Sequence, residues 1–196
     1  GFDTLYTGFG NDTVIALAGA DRIETGSGND VIQAGDGDNV IYAGIGDDTI
    51  TAGSGNDVID ASDGIDQITA GGGNDYILAG KGNDTIDAGA GDDFVIGGLG
   101  SDAITGGDGS DVLWGDIEAI GFAQFRRDVA ADFTYPTNFP GAIWNITTGM
   151  KPNVPVVLGG LSVGGSNDDG NDRISGGTGK DWVFGSGGID QLDGGE

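Results

Sequence analysis

TGFGNDTVI, ALAGADRIE, TGSGNDVIQ, AGDGDNVIY, AGIGDDTIT and AGSGNDVID occupy residues 7–60, and ASDGIDQIT, AGGGNDYIL, AGKGNDTID, AGAGDDFVI, GGLGSDAIT and GGDGSDVLW occupy residues 61–114. They are twelve copies of one nine-residue unit, without an insertion or deletion. The fourth position is Gly throughout, the sixth is Asp except in the fourth copy, where Asn39 stands, and the eighth is Val, Ile or Leu. A short fixed period marks a solenoid, in which each repeat is a structural step that cannot bury its apolar side alone.

Residue types divide the labour within a copy. Positions seven to nine form a β-prone triplet whose middle side chain points to one face while its neighbours point to the other. The inward ladder is therefore Val14, Ile23, Ile32, Ile41, Ile50, Ile59, Ile68, Ile77, Ile86, Val95, Ile104 and Leu113. Positions one to six read as a turn, with glycines that admit positive φ. Two copies make one eighteen-residue coil, so strands of alternate copies stack in parallel about 4.8 Å apart. This predicts an all-β fold of two facing parallel sheets.

The same stacking aligns like charges. Asp12, Asp30, Asp48, Asp66, Asp84 and Asp102 form one column, and Asp21, Asn39, Asp57, Asp75, Asp93 and Asp111 form the other. Carboxylates one strand spacing apart repel by roughly 1 kcal/mol in water and by several times that at a partly buried edge. A hard divalent cation with oxygen ligands removes the repulsion. Calcium accepts the flexible shell of six to eight oxygens that carboxylates and turn carbonyls supply, whereas magnesium demands a tighter octahedron. Turn formation alone would accept Asn or Ser in place of Asp.

The unit resembles the glycine- and aspartate-rich nonapeptide of the repeats-in-toxin (RTX) family, G-G-x-G-x-D-x-U-x with U aliphatic. The resemblance covers residues 1–114 and 167–196 and implies a right-handed, calcium-filled parallel β-roll. It also implies that each ion sits between two loops on one edge. The first loop gives the carbonyls of positions two and four and the Asp at six; the loop eighteen residues on gives the carbonyls of positions one and three and its own Asp. Carried onto this chain, one ion would take Gly8, Gly10, Asp12, Thr25, Ser27 and Asp30, and the next Gly26, Gly28, Asp30, Ala43, Ile45 and Asp48. Continued along both edges, the implied glycine carbonyls are those of Gly19, Gly35, Gly37, Gly44, Gly46, Gly53, Gly55, Gly64, Gly71, Gly73, Gly80 and Gly82. Gly89, Gly91, Gly98, Gly100, Gly107 and Gly109 complete the set. Leu17 and Ser62 depart from Gly at position two, harmlessly if only a carbonyl is used, and Asn39 should weaken the sites it shares. About ten Ca²⁺ would fill twelve such loops.

Composition agrees with a metal-dependent extracellular module. The 196 residues carry a formal charge of −25, with no Cys and no His. Such acidity favours disorder until it is neutralised, and about ten Ca²⁺ bring roughly +20. Without Cys there is no disulfide framework, so the stabiliser is the metal. No basic patch exists to meet nucleic acid, and no apolar run approaches a membrane span. Catalysis is not expected, since acid–base and nucleophilic chemistry need a His, a Cys or a tuned group beside a pocket.

Residues 115–166 break the period. They hold all four prolines, the only Met, and Phe122, Phe125, Phe133, Tyr135, Phe139 and Trp144. Strands are expected at 116–127 and 141–148, joined by a Pro-bearing loop. The repeats resume at 167–196 as NDDGNDRIS, GGTGKDWVF and GSGGIDQLD, with Asp172, Asp181 and Asp190 at position six as further expected ligands. Residues 1–6 fit positions four to nine of a preceding copy and residue 194 opens a new one, as in a stretch of a longer array.

The outward positions differ by sheet. Odd copies show Thr13, Thr49, Thr51, Thr69, Thr85 and Thr105, whereas even copies show Val40, Tyr42, Val58, Tyr76, Leu78, Phe94, Ile96, Val112 and Trp114. So long an apolar face needs a cover. The candidates are the segment 115–166 folding back, a neighbouring domain, a second copy of the chain or a cell-surface polymer; a sugar platform of the segment's own aromatics is a further idea. Two roles fit: a calcium-stiffened spacer in a large secreted or cell-surface protein of adhesin-like or S-layer-like kind, or the C-terminal calcium-triggered folding module of an enzyme or toxin exported by a type I system.

Overall fold

In a computed structural model, described for residues 1–116, 170–185 and 189–195, the chain winds into two facing eight-stranded parallel sheets. One sheet stacks the strands that begin at Thr4, Arg22, Val40, Val58, Tyr76, Phe94, Val112 and Trp182. The other stacks those that begin at Thr13, Val31, Thr49, Gln67, Thr85, Ala103, Arg173 and Gln191. No helix occurs among the described residues. The architecture is the expected all-β parallel solenoid.

Register is strict, with Ile41 over Ile59 and Ile59 over Ile77. Ile104 pairs with Ile174 and Leu113 with Val183, so both sheets continue across the interruption with no slip. The expected strands at 116–127 and 141–148, and the expected packing of 115–166 on the even-copy face, concern residues that are, from 117 to 166, outside those described.

The strands are longer than the triplets read from the sequence. Most run six residues, as in Thr13–Ala18 or Thr49–Ser54, and take in positions one to three of the following copy. The turn is therefore only positions four to six. Alternation along the longer strand sends position one inward beside position eight. A second core ladder results: Ala16, Ala34, Ala43, Ala52, Ala61, Ala70, Ala79 and Ala88 are buried against the Ile column. Its signal, Ala recurring at position one, was present in the sequence and hidden by assigning that position to the turn.

Gly recurs at position two for a backbone reason. Gly71 has φ +114, and a Cβ built on it would collide with the carbonyl oxygen of Gly53 one coil earlier. Ser62 occupies the equivalent place and is the single non-glycine with positive φ among the described residues, at 83°. The substitution is thus not free, since a non-glycine in that region costs on the order of 1 kcal/mol. Leu17 does not take a positive φ.

The outer faces differ as the outward residues suggest. Thr13, Thr49, Thr51, Thr69, Thr85 and Thr105 are exposed. On the even-copy sheet Val58, Leu78, Phe94, Ile96, Val112 and Trp114 are buried, and Tyr76 stacks on Phe94 at 4.8 Å and Trp114 on Phe184 at 4.3 Å.

Candidate metal centre

The position-six side chains stand in two unbroken columns, each linked by one repeated bond. The backbone N–H of a position-six residue donates to the Oδ1 of the residue one coil later, from Asp12 to Asp30 at 2.8 Å and so on through Asp48, Asp66, Asp84 and Asp102. The bond then spans the interruption, from Asp102 to Asp172 at 2.9 Å and from Asp172 to Asp190 at 3.0 Å. On the opposite edge it runs from Asp3 to Asp21, Asn39, Asp57, Asp75, Asp93, Asp111 and Asp181. Asp3, which heads this column, was not singled out from the sequence, although its place in the partial first copy put it at position six.

In most of these carboxylates one oxygen is satisfied in this way and the other is not. Oδ2 of Asp12, Asp30, Asp48, Asp66, Asp84 and Asp102, and of Asp57, Asp75, Asp93, Asp111 and Asp181, is buried without a hydrogen-bond partner. A buried carboxylate oxygen left so is among the costliest groups a fold can hold. The cost shows in proton affinity. Burial pushes the carboxyls of Asp48, Asp57, Asp66, Asp75 and Asp93 up to about 7, those of Asp84 and Asp111 to about 6, and that of Asp102 to about 8. The accepted N–H pulls each the other way, and at most of these positions neighbouring carboxylates add to the rise.

Other oxygens converge on the same points. A Cβ built on Gly97, at position one, would meet both Oδ2 of Asp102 in its own loop and the carbonyl of Gly115 one coil on. The same pairing recurs at Gly106 with Asp111 and Gly176, at Gly115 with Asp172 and Gly185, and at Gly176 with Asp181 and Gly194. The position-six carboxylate of one loop and the position-one carbonyl of the next therefore share a cradle. The position-three carbonyl of Ser27 already accepts the N–H of Gly10 at 2.8 Å, which leaves its second lone pair. Among the described residues no three acidic side chains come together, so a ligand shell here draws most of its oxygens from the backbone. An all-oxygen donor set of this kind suits a hard cation such as calcium.

The edges hold a second ladder to which the sequence reading gave no role. At position five, Oδ1 of Asn11 accepts the N–H of Asn29 at 2.9 Å and Oδ1 of Asn29 accepts that of Asp47 at 3.1 Å. On the other edge Asp38, Asn56, Asn74 and Asp92 repeat the pattern. Here the N–H donates to the side chain one coil earlier, whereas at position six it donates to the side chain one coil later. Asn or Asp recurring at position five was the available signal.

A family model described as the RTX calcium-binding nonapeptide repeat (4 copies) matches residues 1–32, 24–59, 33–68, 51–86, 60–95, 87–117 and 166–196. No curated protein and no solved structure matches the chain.

Proposed function

The chain belongs to the RTX family of calcium-binding nonapeptide repeats, and from that premise we propose that it is a calcium-stiffened spacer of a large secreted or cell-surface protein, with no catalytic role of its own. The observation that carries the reading is the double column of buried position-six side chains, broken in its carboxylates only at Asn39 within residues 7–114, with one oxygen of eleven aspartates left without a hydrogen-bond partner. Calcium supplies the positive charge and the missing partners for those oxygens. The chain's own residues do the rest: position-six side chains and the carbonyls of positions one to four hold each ion between successive coils. Glycines at positions two and four let those backbones approach. Eight stacked strands span roughly 35 Å along the axis, a rod whose stiffness depends on the metal. About ten ions are expected on the loops of residues 7–114.

The location outside the cell rests on the family. Among the described residues no helix is long and apolar enough to cross a membrane. Pulling single molecules in millimolar calcium tests the role. The spacer reading expects a module that resists extension with calcium and extends as a soft chain in chelator. A module equally soft in both would overturn it and favour a calcium-triggered folding step during export.

A further inference from the structure

Asn39 is the single position-six residue of the twelve contiguous copies that is not Asp, and its side chain is fully buried. Both of its amide protons are used within its own loop. Nδ2 donates to the carbonyl of Gly37 at 2.8 Å and to that of Gly35 at 3.2 Å, while Oδ1 accepts the backbone N–H of Asp21 at 3.0 Å. The chemistry fixes this orientation. Turned over, the amide would set an N–H₂ against the Asp21 N–H and a carbonyl oxygen against two others.

Gly35 and Gly37 are the position-two and position-four residues of this loop, whose carbonyls would face an ion in the shell described above. At the same point in loops such as those of Asp57, Asp75 and Asp93 the carboxylate brings a buried oxygen without a hydrogen-bond partner; here a nitrogen with two donors stands instead. An amide nitrogen on those carbonyls and a cation on the same carbonyls exclude one another. A cation entering here would have to evict two hydrogen bonds and would meet one carboxylate, that of Asp57, where the other steps offer two.

We propose that Asn39 is a built-in plug: its amide takes the place of one cation, between the loop at 35–39 and the loop at 52–57, so that this step of the roll closes without metal while the steps around it require metal. The proposal rests on the calcium reading of the family and refines it. It differs from a merely weakened site, which would fill at high calcium. It also gives the N-terminal half of the roll one link that forms at low calcium, from which neighbouring coils can extend.

The test counts and locates calcium. Native mass spectrometry at saturating calcium should find one more ion on Asn39→Asp than on the wild-type chain. A crystal of the wild-type chain grown in calcium should show no ion within ligand distance, about 2.6 Å, of the Gly35 and Gly37 carbonyls, and ions at the Asp66 and Asp84 loops. Equal counts, or calcium on those two carbonyls in the wild type, would overturn the plug; the crystal arm decides even if the variant does not fold. A wild-type chain that takes up no calcium at all would sink the calcium reading itself, an outcome distinct from equal counts above zero.

Discussion

Ile59 and Asp57 lie two residues apart, are almost equally buried, and each stacks on its counterpart eighteen residues away. Ile59 meets Ile41 and Ile77, and every contact it gains lowers the free energy of the coil. Asp57 meets Asn39 and Asp75, and burial, with a smaller push from the Asp38 carboxylate, raises its carboxyl to about 7 against the pull of its bonds from Asn39. The interior of the roll is thus complete in the chain, whereas its edges are completed by something the chain does not encode. One repeat carries both halves, so folding and metal binding are expected to be a single reaction.

Removing the metal tests the comparison with the largest expected effect. In excess chelator at pH 8 the chain should lose its β circular dichroism and behave as an expanded coil, and calcium should restore the spectrum cooperatively. A β spectrum that survived chelation would mean that the Ile and Ala ladders suffice and that the edges are tolerated.

Protons should partly replace the metal. The native carboxyls of Asp48, Asp57, Asp66, Asp75, Asp93 and Asp102 titrate at about 7 to 8, well above the ordinary 3.8. With the folded value raised, the folded state binds more protons than the unfolded one between about 4 and 8. Stability of the metal-free fold therefore falls as pH rises through that window and recovers as it is lowered. Acidification from pH 8 to pH 5 in chelator should bring back part of the β signal, while the calcium midpoint moves to higher concentration because protons compete for the same oxygens. A metal-free chain equally unfolded at both pH values would show that repulsion and desolvation at the edges are not what holds it open.

The interior should respond differently. Ile59→Ala removes a buried side chain from a continuous stack and should cost about 2–5 kcal/mol, read as a lower melting temperature even at saturating calcium. A variant rescued in full by added calcium would erase the distinction between interior and edge.

What could be read from the sequence follows the same division. Val, Ile or Leu at position eight and Gly at position four of every nine-residue copy specify the coil, because that period stacks residues eighteen apart in register. The columns of Asp were equally plain, since strict spacing puts them on one line. The Ala ladder was missed because Ala at position one is compatible with a turn and with a strand, and only the facing sheet decides. The position-five ladder was missed because Asn and Asp are ordinary turn residues; their bonds run between coils and are invisible in any single copy. Ser62 passed as harmless because φ is not written in the sequence.

The smallest and most local contrast lies between two aspartates three residues apart. Asp66 is fully buried at position six, accepts the N–H of Asp48 through Oδ1, and holds Oδ2 without a hydrogen-bond partner. Asp63, at position three, is exposed and pairs with Lys81, whose Nζ lies 2.8 Å away. Asp66→Ala removes a ligand shared by two successive ions and should raise the calcium midpoint by at least the roughly 10–100-fold that losing a supporting group costs a metal site. Asp63→Ala removes an exposed pair worth about 0–1 kcal/mol and keeps the position-three carbonyl, so its midpoint should stay within about threefold of wild type, 0.6 kcal/mol corresponding to roughly that factor. The two midpoints, followed by circular dichroism at one pH and ionic strength, should separate by about threefold or more. If they coincide, the carboxylates of position six are not the ligands, and the edge columns are held together by their backbone bonds alone.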